Sequence, residues 1–162
     1  MPSFADSYLG RLRAVVGSRL LLVPGTRIVI ENQSGQILLQ KRADFGVWGL
    51  PGGGPDEGES LQETIIREVA EETGLRISDL HPFGFSSDPS VETITYPNGD
   101  QCQLFSLMFW TRSFEGEPKV ADDESLQVDW FATDALPQML PNMRRSVEAF
   151  ERYRATSEFQ LI

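Results

Sequence analysis

Apolar residues recur along this chain with two different periods, and each change of period marks a change of element. Over residues 5–16, Tyr8, Leu9, Leu12, Val15 and Val16 follow helical spacing, which predicts a short amphipathic helix. Residues 27–31 and 36–40 are aliphatic and β-branched runs on either side of Asn32-Gln33-Ser34-Gly35, the composition of a hairpin turn. A loop over residues 46–58 follows, with six glycines and two prolines. Helical spacing then returns. Ser60 with Glu63 makes a capping box, Gly74 suits the left-handed position past the end, and the helix is expected over residues 61–73. Residues 91–96 and 101–111 are expected as strands around Pro97-Asn98-Gly99-Asp100. A further short strand is expected over 127–131, and a closing helix over 142–155 carries Met143, Val147, Phe150 and Tyr153. Hairpins mixed with three helices indicate an α/β or α+β fold.

At 162 residues the chain fits one globular domain, with residues 1–18 as a helical extension and 19–162 as the body. The single cysteine, Cys102, excludes an internal disulfide and a Cys-based zinc cluster, and it suits a reducing, cytoplasmic setting. No apolar run reaches the roughly 20 residues of a membrane span. The N-terminal stretch interleaves arginines with its apolar residues and lacks a signal-peptide core. Its helix is read as a packing element or one that forms a homodimer, and no membrane partner is expected. Acidic residues outnumber basic ones by 24 to 14, leaving a formal net charge of −10. Such a surface repels long polyphosphate backbones, so no duplex nucleic-acid partner is expected. A small anionic substrate stays open, because a bound cation reverses the field around it.

The helix over 61–73 is where charge becomes informative. Glu68, Glu71 and Glu72 stand at i, i+3 and i+4 and therefore share one face. They repel one another and sit toward the helix end that disfavours negative charge. Leu61, Ile65, Ile66 and Val69 make the adjacent apolar stripe, so the acidic face borders the core. Taken alone, this face is either a solvated surface or a set of oxygen ligands for a hard divalent cation.

The flanking residues decide between the two. Gly53, Glu59, Arg67, Glu68, Val69, Glu71, Glu72, Gly74 and Leu75 read as Gly53-x5-Glu59-x7-Arg67-Glu68-Val69-x-Glu71-Glu72-x-Gly74-Leu75. This resembles a complete Nudix box, with every defined position matched. The preceding Trp48-Gly49-Leu50-Pro51-Gly52-Gly53 is similar to the family's lead-in, as are the later Glu124-Ser125-Leu126, Trp130-Phe131 and Leu136-Pro137. The resemblance covers residues 27–137. It implies an α/β/α sandwich, a mixed sheet between helices, with the box as a loop–helix–loop. It also implies a hydrolase, dependent on Mg²⁺ or Mn²⁺, that cleaves the pyrophosphate linkage of a nucleoside diphosphate joined to another moiety. Glu68, Glu71 and Glu72 are then metal ligands, with the Gly52 carbonyl as a further one, and Arg67 pairs with Glu59 to hold the loop against the helix. The base that takes a proton from the attacking water is Glu71 or Glu124; the resemblance leaves both open.

Substrate contacts are less sharply written. Arg42 is placed to reach a phosphate, and Gly53 lets the backbone approach one. Phe45, Trp48 and Tyr96 are candidates for stacking on a base, each in competition with packing. Pro89, fourteen residues after Leu75, hints at ADP-ribose-cleaving members, and (d)NTPs stay open beside ADP-ribose. The tyrosine of dinucleoside-polyphosphate members and the zinc site of NADH-cleaving ones are not found. His81 is expected near a surface turn. The alternative is a non-catalytic Nudix-fold nucleotide sensor or binding module. An isopentenyl-diphosphate isomerase would need a positioned cysteine and metal-binding histidines that this sequence does not supply, and the acidic charge argues against action on RNA 5′ ends.

Overall fold

A computed structural model describes residues 3–162; Met1 and Pro2, the first two residues of the expected N-terminal segment, lie outside the described residues. After a 3-10 turn at Phe4–Asp6 come α1 (Tyr8–Val16), β1 (Leu21–Ile30), β2 (Ile37–Arg42), the short β3 (Trp48–Gly49) and β4 (Gly52–Gly53), and α2 (Leu61–Thr73). The second half runs β5 (Arg76–Ser78), β6 (His81–Ser86), the single-turn α3 (Pro89–Glu92), β7 (Thr93–Thr95), β8 (Gln101–Thr111), β9 (Ser113–Glu115), β10 (Ser125–Phe131), α4 (Pro141–Thr156) and β11 (Gln160–Leu161).

The frame is a mixed sheet in the order β11-β6-β8-β1-β4, with β7 also on β8. Its spine is the parallel pair β1–β8, in register from Leu21↔Cys102 to Ile30↔Thr111. Successive side chains of a strand point to opposite faces, and the core divides accordingly. Val29 and Met108 join Phe83, Met143, Val147 and Phe150 under α4, while Ile28, Ile30 and Phe109 join Ile65, Val69 and Leu75 under α2. Helices thus cover both faces, the expected α/β/α sandwich. Among the described residues no helix is long and apolar enough to cross a membrane.

Several elements depart from the sequence reading, each for a physical reason. The turn at residues 32–35 forms, with the Asn32 N–H donating to the Gln36 carbonyl at 2.9 Å. Yet the flanking strands do not stay together: β1 is claimed by β8 and β4, whereas β2 pairs with β10 and β3. Residues 91–96 are strand only at Thr93–Thr95. The residues just before are helical, because Asp88 caps Ser90 and Pro89 sits at the first turn, where its missing N–H costs nothing. That turn rolls Glu92 into the interior. The first helix is rotated from the orientation its apolar residues suggest: Leu9, Leu12 and Val16 are half-buried, but Val15 is 84% exposed and Arg13 is buried. The Arg13 guanidinium donates to the carbonyls of Gly17, Arg19 and Gln101 and to Cys102 Sγ, which repays its desolvation.

Candidate active site

Local instructions build α2. Ser60 Oγ accepts from the Glu63 N–H at 3.2 Å, the Glu63 carboxylate accepts from the Ser60 N–H at 2.8 Å, and Gly74 closes the far end in the left-handed region at φ 73°. Ile65 and Val69 are fully buried against the β1 side of the core. Ile66, grouped with them by sequence, faces outward instead. Anchoring Ile65 and Val69 turns Glu68 and Glu72 into the seam between helix and sheet, where Glu72 is 2% exposed.

Arg67 organises the acidic cluster. Its Nε donates to Glu59 Oε1 at 2.6 Å and its Nη2 to Glu59 Oε2 at 3.0 Å, while Nη1 is shared by Glu68 Oε1 (3.0 Å) and Glu71 Oε2 (3.1 Å). Glu59 also accepts from the Asp56 N–H and the Thr64 hydroxyl. The Arg67 bonds, reinforced by these two, hold its carboxyl down at about 2. Through Glu59 and the Gly54 carbonyl, which also accepts from Arg67, the loop before the helix is tied to the helix itself. The loop backbone then comes very close: a Cβ on Gly53 would collide with the Glu68 carboxylate, and one on Gly52 with the Thr26 carbonyl of β1.

The two inner carboxylates are poorly compensated. Burial pushes Glu68 up to about 7; Arg67 opposes that rise, and the charges of Glu71 and Glu124 add to it. Glu72 is raised well above the carboxylate range by burial and then by the charge of Glu68. Only the Gly52 N–H (3.0 Å), the Gln40 amide and the more distant Arg42 pull the other way. Among the described residues no three acidic side chains already converge on one point. Glu68 and Glu71 lean on Arg67, and Glu72 leans on Gly52. The donor chemistry nevertheless fits a hard divalent cation, since these are carboxylate oxygens with buried negative charge and too little positive charge beside them.

Around this centre the structure sorts the other candidates. Arg42 ends β2 and is gripped by Asp44 through Nε (2.9 Å) and Nη2 (2.6 Å). Trp48 packs edge-on against Phe131 at 4.7 Å and joins the α4-side core. Phe45 and Tyr96 meet on two loops, with ring centroids 5.6 Å apart. Glu124 is exposed just before β10, and its backbone carbonyl accepts from the Ala43 N–H. His81 stacks on Trp110 beside Asp79.

Two features escaped the sequence reading. One is Gln40, a buried amide on β2 that hydrogen-bonds Glu72 and accepts from Ser125. The other is a buried ion pair under α4. Arg27 Nη2 and Nη1 donate to the Glu92 carboxylate at 2.8 and 3.0 Å, and Ser106, Ser146 and Asn142 complete the shell. Burial alone would raise Glu92, but the Arg27 hydrogen bonds and charge, with Ser86 and Asn142, bring it below its ordinary value. The available signal was a charged residue inside an otherwise aliphatic strand, Arg27 before Ile28-Val29-Ile30.

Comparison with known proteins agrees with this geometry. A family model described as NUDIX domain matches residues 21–150. A Bacillus subtilis protein named putative 8-oxo-dGTP diphosphatase is 34% identical over 129 residues, 78% of each chain. A MutT NUDIX hydrolase from Burkholderia pseudomallei superposes with a TM-score of 0.67 at 31% identity, covering 80% of this chain and 98% of that one. The NUDIX domain of Shewanella oneidensis NrtR, solved with ADP ribose, has a TM-score of 0.68 at 20% identity over 84% of this chain and 90% of its own, a likeness of fold.

Proposed function

This chain belongs to the Nudix hydrolase family and is a pyrophosphohydrolase of that family, and from that premise we propose that it uses Mg²⁺ or Mn²⁺ to cleave the phosphoanhydride link of a small nucleoside-diphosphate derivative. One observation carries the proposal: Glu72 is buried beside Glu68 with no basic side chain bonded to it among the described residues. A carboxylate pair left this way costs stability unless a cation completes it. Glu68, Glu72 and Glu71 are the proposed ligands, with the Gly52 carbonyl beside them. The bound ion would neutralise phosphate oxygens and make a water more acidic.

The remaining work falls to this chain's own groups. Arg67 and Glu59 hold the loop in register with α2, so the glycine backbone meets the phosphates at a fixed distance from the carboxylates. Arg42 offers the guanidinium that a phosphate needs. Of the two candidate bases we choose Glu124. Glu71 is engaged by Arg67, whereas the Glu124 carboxylate accepts no hydrogen bond among the described residues and its charge reaches Glu68. It can therefore take the proton of an attacking water. The lone buried cysteine suits a cytoplasmic setting.

The relative named for 8-oxo-dGTP puts nucleoside triphosphates first in a substrate panel, with ADP-ribose and nucleotide sugars next. Hydrolysis of at least one of these, dependent on Mg²⁺ or Mn²⁺ and absent in a folded Glu72→Gln protein, is the expected result. A wild-type protein inert toward the whole panel under both metals would overturn the reading. If it then bound nucleotide, a sensing role would take its place.

A further inference from the structure

The loop between β4 and α2 has little regular structure to hold it. Residues 54–60 carry neither helix nor strand, and Gly58 turns with φ 89°. Segments of this kind open locally at small cost. Yet Glu59 lies within this one, and Glu59 sets the Arg67 guanidinium that Glu68 and Glu71 share.

Asp56 is where the loop is tied down. Its N–H donates to Glu59 Oε2 at 2.9 Å, and its carbonyl accepts from the Glu59 N–H at 3.1 Å. Its carboxylate Oδ2 stands 3.9 Å from Arg67 Nη2, while Oδ1 accepts from the Tyr8 N–H at 3.1 Å. The first three contacts stay inside the acidic loop and helix. The fourth reaches 48 residues back, to the first turn of α1. That N–H is available because the first N–H groups of a helix have no partner within it, and the N-cap Ser7 spends its Oγ on the Gly10 N–H at 3.1 Å. A carboxylate placed there also meets the positive end of the helix dipole. Arg11 donates to Glu57 Oε2 at 2.7 Å, an exposed pair that adds little.

The same helix is anchored in the sheet. Buried Arg13 donates to the Gln101 carbonyl and to Cys102 Sγ at the start of β8. Gly10 lets the 3-10 turn fold back on α1, since a Cβ there would collide with the Phe4 carbonyl. Helix α1 is therefore a brace from β8 to the acidic loop, and it lies before residue 21, where the match to the family model begins.

Resting on the hydrolase reading above, we propose that α1 is a positioning element of the metal centre. The Tyr8 N–H fixes Asp56, Asp56 fixes Glu59 and faces Arg67, and Arg67 holds Glu68 and Glu71. Tyr8 and Asp56 act through Arg67, by setting where the carboxylates stand before an ion arrives.

Tyr8→Pro removes this one donor and keeps the helix. Tyr8 is the first helical residue, where proline is well suited, and Ser7 already has the extended backbone that a following proline requires (φ −69°, ψ 162°). Tyr8→Ala loses the same side chain and keeps the N–H. Two readouts apply: Mn²⁺ affinity by calorimetry, and hydrogen–deuterium exchange over residues 54–60 in metal-free protein. Tyr8→Pro should weaken Mn²⁺ binding roughly three- to tenfold, less than losing a group that touches a ligand, and should quicken exchange; Tyr8→Ala should do neither. Asp56→Ala should weaken Mn²⁺ binding at least as much, and adding Tyr8→Pro to it should change nothing further, because the two share one contact. A helix that merely packs would instead give a lower melting temperature with affinity and exchange unchanged, which overturns the proposal, as would equal behaviour of the proline and alanine variants. If Tyr8→Pro does not fold, Asp56 decides: weaker Mn²⁺ binding in Asp56→Ala, partly restored in Asp56→Asn, supports the brace, and wild-type affinity in Asp56→Ala overturns it. If wild type itself takes up no metal, the hydrolase reading fails, and exchange alone decides: quickened by proline but not by alanine, it shows α1 holding the loop; unchanged, it overturns the brace as well.

Discussion

Two clusters of buried charge lie on the two faces of the β1–β8 spine, and they are built on opposite terms. Under α4, Glu92 is completely buried yet held below its ordinary pKa, because Arg27 meets it with two hydrogen bonds and Ser86 and Asn142 fill the rest. Under α2, Glu72 is as deeply buried, and burial raises it with little to oppose the rise. The first cluster is closed and the second is open. A closed cluster is architecture: it ties β1 to α3, β8 and α4. An open one holds carboxylates whose charged form is unfavourable until a proton or an incoming cation neutralises it, which is why depth of burial alone does not mark a functional carboxylate.

The strongest way to break this contrast is to open the closed cluster. Arg27→Met leaves Glu92 buried without a counter-charge and should lower unfolding stability by about 3–5 kcal/mol, measured by urea denaturation. Arg27→Met/Glu92→Leu together should lose less than the single change, since no orphaned charge remains. Next comes the open cluster. Glu72→Gln should reduce turnover by at least about a hundredfold, beyond what losing a ligand's supporting group costs. It should also unfold no more easily than wild type when metal is absent, and it should lose the rise in melting temperature that Mg²⁺ or Mn²⁺ gives wild type. The two substitutions thus move metal-free stability in different directions; parallel losses would mean that Glu72 too is structural.

A smaller effect is expected at the hinge between loop and helix. Glu59→Gln removes the charge opposite Arg67 and should lower activity about 10- to 100-fold by disturbing the ligands from behind, with Mn²⁺ affinity read by calorimetry as the check. The smallest is a pH effect. Because Glu92 is lowered on folding from an ordinary 4.5, its contribution is fully present above that value and is lost as pH falls through the lower folded value. Wild type should therefore lose stability below about pH 4.5 more steeply than Glu92→Gln, in melting curves taken between pH 6 and 3. Equal slopes would remove Glu92 from the acid limb.

How much of this was legible in the sequence depends on how local the determinant is. The limits of α2 were readable because Ser60, Glu63 and Gly74 act within one turn of the chain. The tie between Glu59 and Arg67 was readable only through the resemblance. Of the Arg27–Glu92 pair, only the arginine left a trace in the sequence, as a charge inside an aliphatic strand; its partner left none. The two are 65 residues apart, and they meet because α3 interrupts a stretch whose apolar pattern reads as strand. The β1–β2 turn was seen, but the parting of its strands was not, since β8 decides it from far along the chain. The buried face of α1 was misread because an arginine, surrounded by carbonyl oxygens, took the place that hydrophobicity assigns to Val15.

The parallel spine has a consequence for how the enzyme comes into being. Between its two strands runs the entire acidic loop and helix, so β1 cannot be seated until β8 has been made. A nascent chain that has just completed Gly74 already holds Glu59, Arg67, Glu68, Glu71 and Glu72, but not the strand that pairs with β1 and brings Phe109 into the core under α2. Non-local pairing of this kind is slow to nucleate. Catalytic competence arrives late in synthesis and all at once, and a shortened product ending before β8 would carry the signature of the family without its activity.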